Sequence, residues 1–133
     1  DYFVCFHNNT KINIMKKAIY ILAIAVFALV AIVLSTAVDT SMENSIKVYG
    51  TVKSISEGGI KDVVFELENN KTLYYINRGF ENGFEIAKAK KDFEGKKITL
   101  FYAKSWTPLA PFGTYSKHIT HLSVNDSVLF SEW

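Results

Sequence analysis

The sequence predicts a small, mainly β domain preceded by an N-terminal apolar helix. Residues 18–38 (AIYILAIAVFALVAIVLSTAV) contain no charged side chain. From residue 46 onward, short runs of alternating apolar and polar residues are separated by Gly and Asn, which is typical of β-strands and turns. The part from residue 39 to residue 133 has 95 residues, which is enough for one hydrophobic core and too few for two.

The apolar segment predicts export or membrane anchoring. At about 1.5 Å per residue, a helix over residues 18–38 would reach about 31 Å, enough to cross a hydrocarbon core of about 30 Å. Lys16 and Lys17 precede it and Asp39 follows it. This lysine bias places the N-terminus in the cytoplasm and everything from about residue 39 outside it.

Two fates remain open for this segment. Its length favours an uncleaved anchor, because the apolar core of a secretory signal typically has about 7–15 residues. The small residues Ser35, Thr36 and Ala37 permit cleavage after Ala37 instead. We therefore expect either a single-pass membrane protein with an extracytoplasmic C-terminal domain or a secreted or periplasmic domain.

Residues 1–14 lie upstream of a Met15-Lys16-Lys17 start that is typical of bacterial signal sequences. We expect residues 1–14 to be a non-native extension, with a short cytoplasmic tail as the alternative. Residues 15–38 are then the signal peptide or anchor helix, the polar residues 39–45 a linker, and residues 46–133 the domain.

The first half of the domain predicts three strands. In residues 46–56, Ile46, Val48, Gly50 and Val52 alternate with polar side chains, and Gly50 in mid-strand indicates a bend. A second strand over residues 63–68 and a third over residues 72–78 are joined at Asn69-Asn70. These asparagines tolerate positive φ and therefore favour a tight hairpin.

The second half predicts a helix and three more strands. Ile86, Ala89 and Phe93 fall at i, i+3 and i+7, which indicates a short helix, and Gly95 stands at the position of a C-terminal cap. Strands follow at residues 98–103, 118–124 and 128–130, and a long loop over residues 104–117 precedes the second of these.

Charge and cysteine content exclude some classes of protein. From residue 39 onward, twelve Lys and Arg residues balance twelve Asp and Glu residues, and the only cysteine is Cys5. A neutral domain argues against nucleic-acid binding, whose affinity depends on neutralising phosphates. Without cysteine, the domain must be stabilised by apolar burial rather than by disulfides.

Five or six strands with one helix between the third and fourth resemble the OB-fold, a small Greek-key barrel. The resemblance covers about residues 46–130 and depends on the element order, the Gly50 bend and the helix position. The chain looks like small bacterial exported or membrane-anchored OB-fold-like domains. The resemblance implies that ligands meet strands two and three together with the first-to-second and fourth-to-fifth loops.

Those positions carry aromatic side chains, which bind sugars, peptides or bases with large contact areas. The ligand-binding residues predicted on this basis are Tyr74, Tyr75, Arg78, Trp106, Phe112 and Tyr115. The alternative is that Trp106 and Phe112 fold back as a lid over the core, because aromatic side chains are often buried.

No catalytic residue, metal ligand or cofactor site is predicted. His118 and His121 are three apart and would point to opposite faces of a strand, which prevents joint coordination of one ion. Glu66 and Glu68 lie on a solvated strand face, where nothing displaces a carboxyl pKa for acid–base work. The serines of the long loop have no partner base in view.

These observations favour a non-enzymatic, envelope-facing binding module whose partner is a protein, peptide or glycan. A single-stranded nucleic-acid-binding OB-fold is one alternative, in which bases would stack on the tyrosines. A hydrolase of envelope polymers is the third possibility, although no acid, base or nucleophile is nominated for it.

Overall fold

The computed structural model describes residues 2–133, with side chains from Asn13 onward. The chain divides into two compact units, residues 1–36 and residues 37–133. The side chains of residues 1–12, which belong to the predicted N-terminal extension or tail, lie outside the described part.

The first unit is one helix, α1, over Tyr2–Ser35. Within it, Asn13–Ser35 is long and apolar enough to cross a membrane, a property that signal sequences share. All its side chains from residue 13 are exposed. The helix ends three residues before the predicted boundary at Val38, where the Ser35 and Thr36 hydroxyls donate hydrogen bonds to the Ile32 carbonyl.

The second unit is mainly β, with six strands and one short α-helix. The elements are β1 (Ser45–Gly58), β2 (Asp62–Leu67), β3 (Leu73–Ile76), α2 (Ile86–Phe93), β4 (Lys97–Ala103), β5 (Ser116–Val124) and β6 (Ser127–Ser131). The sheet order is β3-β2-β1-β4-β5-β6. One further, parallel pairing joins β3 to β5.

The predicted mainly β class with an apolar N-terminal helix is confirmed. Each of the six predicted strands is present, with ends that differ by one or two residues in most cases. The third strand is shorter than predicted, because Arg78 adopts left-handed backbone angles and begins a 3₁₀ turn instead. The Asn69 turn has the expected positive φ, at 54°.

The long strand β1 changes partners near Gly50. Residues 45–51 pair with β4 and residues 52–58 pair with β2, with an irregularity between Val52 and Ser54. A Cβ atom at Gly50 would lie 2.8 Å from Leu67 Cδ1. Glycine therefore allows β2 to approach β1 closely at the point where the strand turns from one partner to the other.

The core lies between the inner face of the sheet and α2. Phe65, Leu100, Ile119 and Leu122 are fully buried there. The predicted helix stripe is confirmed: Ala89 is buried, and Ile86 and Phe93 pack against the same cluster. Gly95 follows the helix with a φ of 77°, the left-handed conformation expected at this cap.

The prediction that His118 and His121 point to opposite faces is wrong. The β4–β5 register shifts between the pairs Phe101–His121 and Tyr102–Ile119. Because of this bulge, Ile119 and Leu122 both enter the core. The His118 ring meets Tyr75 and the His121 ring meets Phe101, so both imidazoles lie on the outer face of the sheet, away from the core.

Candidate functional site

The loop that the sequence predicts to bind a ligand packs over the sheet. We call residues 104–115 the β4–β5 loop. At its start, the Lys104 backbone N–H donates to the Asn44 carbonyl at 2.9 Å, and Lys104 Nζ donates to the Glu43 carbonyl at 3.0 Å. The loop therefore begins beside the residues through which the chain enters β1.

Hydrogen bonds inside the loop fix its shape. Trp106 Nε1 donates to the Gly113 carbonyl at 3.1 Å, which brings the two ends of the loop together. The buried Ser116 hydroxyl is bonded to the carbonyl oxygens of Pro111 and Gly113. These bonds close residues 106–113 and residues 111–116. The backbone between them, and with it the side chains it carries, is held in one arrangement.

The underside of the loop covers the outer face of β2 and β3. Ala110 packs with Val64, Tyr75 and Leu73 in a second apolar cluster, separate from the main core. Pro111 and Phe112 approach the β1–β2 turn, where a Cβ atom at Gly58 would lie 3.1 Å from Phe112 Cε2. Ala110 and Pro111 therefore cover the outer face of the sheet. The alternative stated from the sequence was a lid formed by Trp106 and Phe112 over the core, and both of these side chains are about half exposed.

The other side of the loop presents apolar groups to solvent. Trp106, Phe112 and Tyr115 expose 45%, 56% and 74% of their surfaces, and Leu109 exposes 66%. Ile60, in the neighbouring β1–β2 turn, is 78% exposed. We call Ile60, Trp106, Leu109, Phe112 and Tyr115 the apolar loop surface.

Phe112 has an unusual backbone conformation, with φ 57° and ψ 18°. Bulky residues rarely adopt this left-handed region, which costs on the order of 1–3 kcal/mol at such a site. The surrounding bonds to Pro111, Gly113 and Ser116 hold the turn in place. The result is a phenyl ring held half exposed beside the β1–β2 turn.

The structure separates the two predicted tyrosines from this surface. Tyr74 and Tyr75 are each 3% exposed. Tyr74 points into the core, where its hydroxyl accepts a hydrogen bond from Asn70 Nδ2 at 3.0 Å, and Tyr75 lies under the loop. Neither ring is available to a ligand here, so the stacking face predicted on β3 is not presented to solvent.

The Arg78 side chain is exposed and forms an ion pair with Glu81. Its Nε lies 3.4 Å from Glu81 Oε2, and Lys61 Nζ lies 3.0 Å from the other oxygen of the same carboxylate. The Arg78 backbone N–H donates to Asp62 Oδ1 at 2.8 Å. Arg78 therefore holds the Asp62 carboxylate through its backbone and forms part of a surface ion-pair group through its side chain.

A buried polar cluster lies below the loop. His118 Nε2 is 3.0 Å from both carboxylate oxygens of Glu132, and its ring contacts Tyr75 edge-on. Burial raises the pKa of Asp62 despite the Arg78 N–H. Burial, together with the charges of Asp62 and Glu132, raises the pKa of Tyr75 to about 12. These groups tie β2, β3, β5 and the end of the chain together under the loop.

A second aromatic group lies on the outer face of β1, β4 and β5. The His121 ring stacks on Trp133 with centroids 4.6 Å apart, and both meet Phe101 edge-on. Lys47 Nζ lies 4.8 Å from the centre of the Tyr49 ring. In this group the rings of Phe101, His121 and Trp133 contact one another, while Trp133 remains 42% exposed and Tyr49 68% exposed.

Among side chains of residues 13–133, no group of three His, Cys, Asp or Glu residues is arranged to hold a metal ion. The chain matches no protein-family model, no curated protein and no solved structure.

Sequence reasoning missed Leu109 and Ile60 as exposed apolar groups and Ala110 as the contact that covers β2. One signal for the covered face was present in the sequence. Val63, Val64 and Phe65 form a continuous apolar run, and such a run indicates a strand buried on both faces.

Proposed function

We propose that the protein is a membrane-anchored binding module whose domain faces the outside of the cytoplasmic membrane. The apolar span Asn13–Ser35 and the lysines at its N-terminal end support this orientation. Cleavage after Ala37 would release the same domain in secreted or periplasmic form. Either way, the domain from residue 39 onward works outside the cytoplasm.

We further infer that the domain is an OB-like barrel. The pairings β1–β2, β2–β3, β3–β5, β5–β4 and β4–β1 run around a closed circuit, in which only β3–β5 is parallel. The helix α2 lies between β3 and β4 in the chain and packs on the core. This order and these pairings support the resemblance to the OB-fold.

The observation that carries the binding function is the apolar loop surface. Four of its five large side chains are exposed on a loop whose backbone is held by internal hydrogen bonds, and the fifth, Ile60, is exposed in the neighbouring β1–β2 turn. Ordered, outward-facing aromatic side chains offer contact area at low entropic cost. We propose that this surface contacts an envelope component, for which the sequence predicts a protein, peptide or glycan.

The test is capture of the partner by full-length protein with single substitutions in the loop. Tyr115→Ala and Trp106→Ala should weaken crosslinking to envelope components about tenfold, because such anchors typically contribute more than about 1 kcal/mol each. Tyr115 makes no side-chain hydrogen bond within the described residues, so its substitution should leave the melting temperature nearly unchanged.

Tyr49→Ala is the matched control, since Tyr49 is 68% exposed and lies outside the loop. It should leave capture unchanged. Equal loss of capture in Tyr49→Ala and Tyr115→Ala would contradict the proposal. So would a large loss of stability in Tyr115→Ala, because that would give the ring a structural role.

A further inference from the structure

We propose that the occupant of the apolar loop surface is the lipid bilayer to which the chain is anchored. This inference rests on one part of the proposed function, the membrane-anchored placement of the domain outside the cytoplasm. It assigns the same loop surface to membrane lipid in place of a protein, peptide or glycan. In the proposed arrangement, the loop's apolar tips enter the membrane interface while its flanking lysines remain among the lipid headgroups.

The β4–β5 loop begins beside the point where the chain enters the domain. Lys104 binds the carbonyls of Glu43 and Asn44, directly before β1, and Ser45 pairs with Ala103 at the end of β4. Trp106 is only two residues beyond Lys104. The loop is therefore rooted at the end of the domain from which the chain leads back to the apolar span.

The connection between α1 and β1 is short. Nine residues separate Ser35, the last residue of α1, from Ser45, the first of β1. Fully extended, they span at most about 35 Å, and the hydrogen bond from Ser41 N–H to Asp39 Oδ1 shortens that reach. A compact domain of this size is about as wide. When α1 spans a bilayer, this connection keeps the root of the loop within about 35 Å of the end of α1.

The side chains of the loop suit a membrane interface. Trp and Tyr are the side chains most enriched at membrane interfaces, where an apolar ring and a polar tip are both satisfied. Leu109 and Phe112 add purely apolar area, which a glycan would not use well. Residues 104–117 contain no Asp or Glu, and Lys104 and Lys117 stand at the two ends. This charge pattern complements anionic headgroups.

The test uses the full chain reconstituted into vesicles of phosphatidylcholine and phosphatidylglycerol, with and without brominated acyl chains. The chain has two tryptophans, so Trp133→Phe leaves Trp106 as the only emitter. We expect brominated lipid to reduce Trp106 emission about twofold, because an interfacial indole lies within reach of acyl-chain bromines. Trp106→Phe leaves Trp133 as the only emitter, and its emission should fall much less.

Charge insertion supplies the matched control. Leu109→Glu places a carboxylate in the loop and should abolish most of the quenching of Trp106. Tyr49→Glu places the same charge at a residue of similar exposure outside the loop and should leave the quenching unchanged. Circular dichroism and the melting temperature verify that both variants are folded.

Emission from Trp106 that is insensitive to brominated lipid would overturn the proposal, as would quenching of Trp133 equal to that of Trp106. If Trp106 is not quenched but Tyr115→Ala still loses capture of an envelope protein or glycan, the lipid assignment fails and the proposed function stands. If Trp106 is quenched and capture is unchanged by the loop substitutions, the result supports the bilayer as the occupant of this surface.

Discussion

Asp62 is a carboxyl group kept almost entirely from water, with 4% of its surface exposed. Burial is the main reason that its pKa is raised above the ordinary value of 3.8. The folded state therefore holds the proton more tightly than the unfolded state does. The contribution of Asp62 to stability is full below pH 3.8 and is lost as the pH rises through the raised pKa.

Asp62→Asn should remove this loss, because the amide oxygen still accepts the Arg78 N–H and carries no charge. We expect the melting temperature of the variant, relative to the unsubstituted protein, to increase as the pH rises from about 4 to 7. Thermal unfolding across that range measures the difference. A difference that is constant, or that falls with rising pH, would show that burial of this carboxylate has no net cost.

Glu66→Gln is the control with the opposite sign. Hydrogen bonds from Lys53 and Ser54 lower the pKa of Glu66, so the carboxylate contributes stability above pH 4.5 that is lost as the pH falls. The variant should lose stability relative to the unsubstituted protein as the pH rises. The effect should be small, because the ion pair is exposed to solvent.

The β4–β5 loop is the element on which the proposed function depends, and Ser116 is its main internal support. Its hydroxyl, 1% exposed, bonds to two loop carbonyls. Ser116→Ala should cost about 1–2 kcal/mol because these carbonyls lose a buried donor. Local opening of the loop should become about fivefold more frequent for each 1 kcal/mol lost.

Limited trypsin digestion measures this opening, since Lys104 and Lys117 flank the loop. Cleavage at these lysines should accelerate in Ser116→Ala and stay unchanged in Ser123→Ala. Ser123 lies on the same strand and makes no side-chain hydrogen bond among the described residues. Unchanged cleavage in Ser116→Ala would mean that other contacts hold the loop.

At the scale of elements, the sequence predicted the strands and α2 better than it predicted the contacts between them. The strands and α2 follow from local patterns: alternation, the Ile86–Ala89–Phe93 spacing, and turn residues such as Asn69. The cover over β2 and β3 is a contact between distant parts of the chain, which local periodicity does not reveal. Only the run Val63–Phe65 indicated a strand buried on both faces.

The candidate site was predicted in part for the same reason. Trp106, Phe112 and Tyr115 were expected on one loop and are exposed there. Tyr74 and Tyr75 are neighbours in a strand, so they point to opposite faces, and each is buried against a different layer. The bulge in β5 changed the side on which His121 lies, because one extra residue shifts the alternation.

At the scale of the whole molecule, the proposed function and the proposed lipid contact depend on the side of the membrane on which the domain lies. The described helix Asn13–Ser35 carries Lys16 and Lys17 toward its N-terminal end and no charge after them. In the proposed orientation, the N-terminal segment would lie in the cytoplasm and the apolar loop surface outside it. Lipid contact and partner capture both require this arrangement.

The most direct measurement is labelling of cysteines in intact bacterial cells with a membrane-impermeant maleimide. Cys5 is the only cysteine of the chain and lies before the apolar span. In a Cys5→Ser background, Lys71→Cys places one exposed thiol in the β2–β3 turn. We expect Lys71→Cys to react in intact cells, and Cys5 of the unsubstituted chain to react only after permeabilisation. Labelling of the Lys71→Cys thiol only after permeabilisation would contradict an extracytoplasmic domain and the proposals that depend on it.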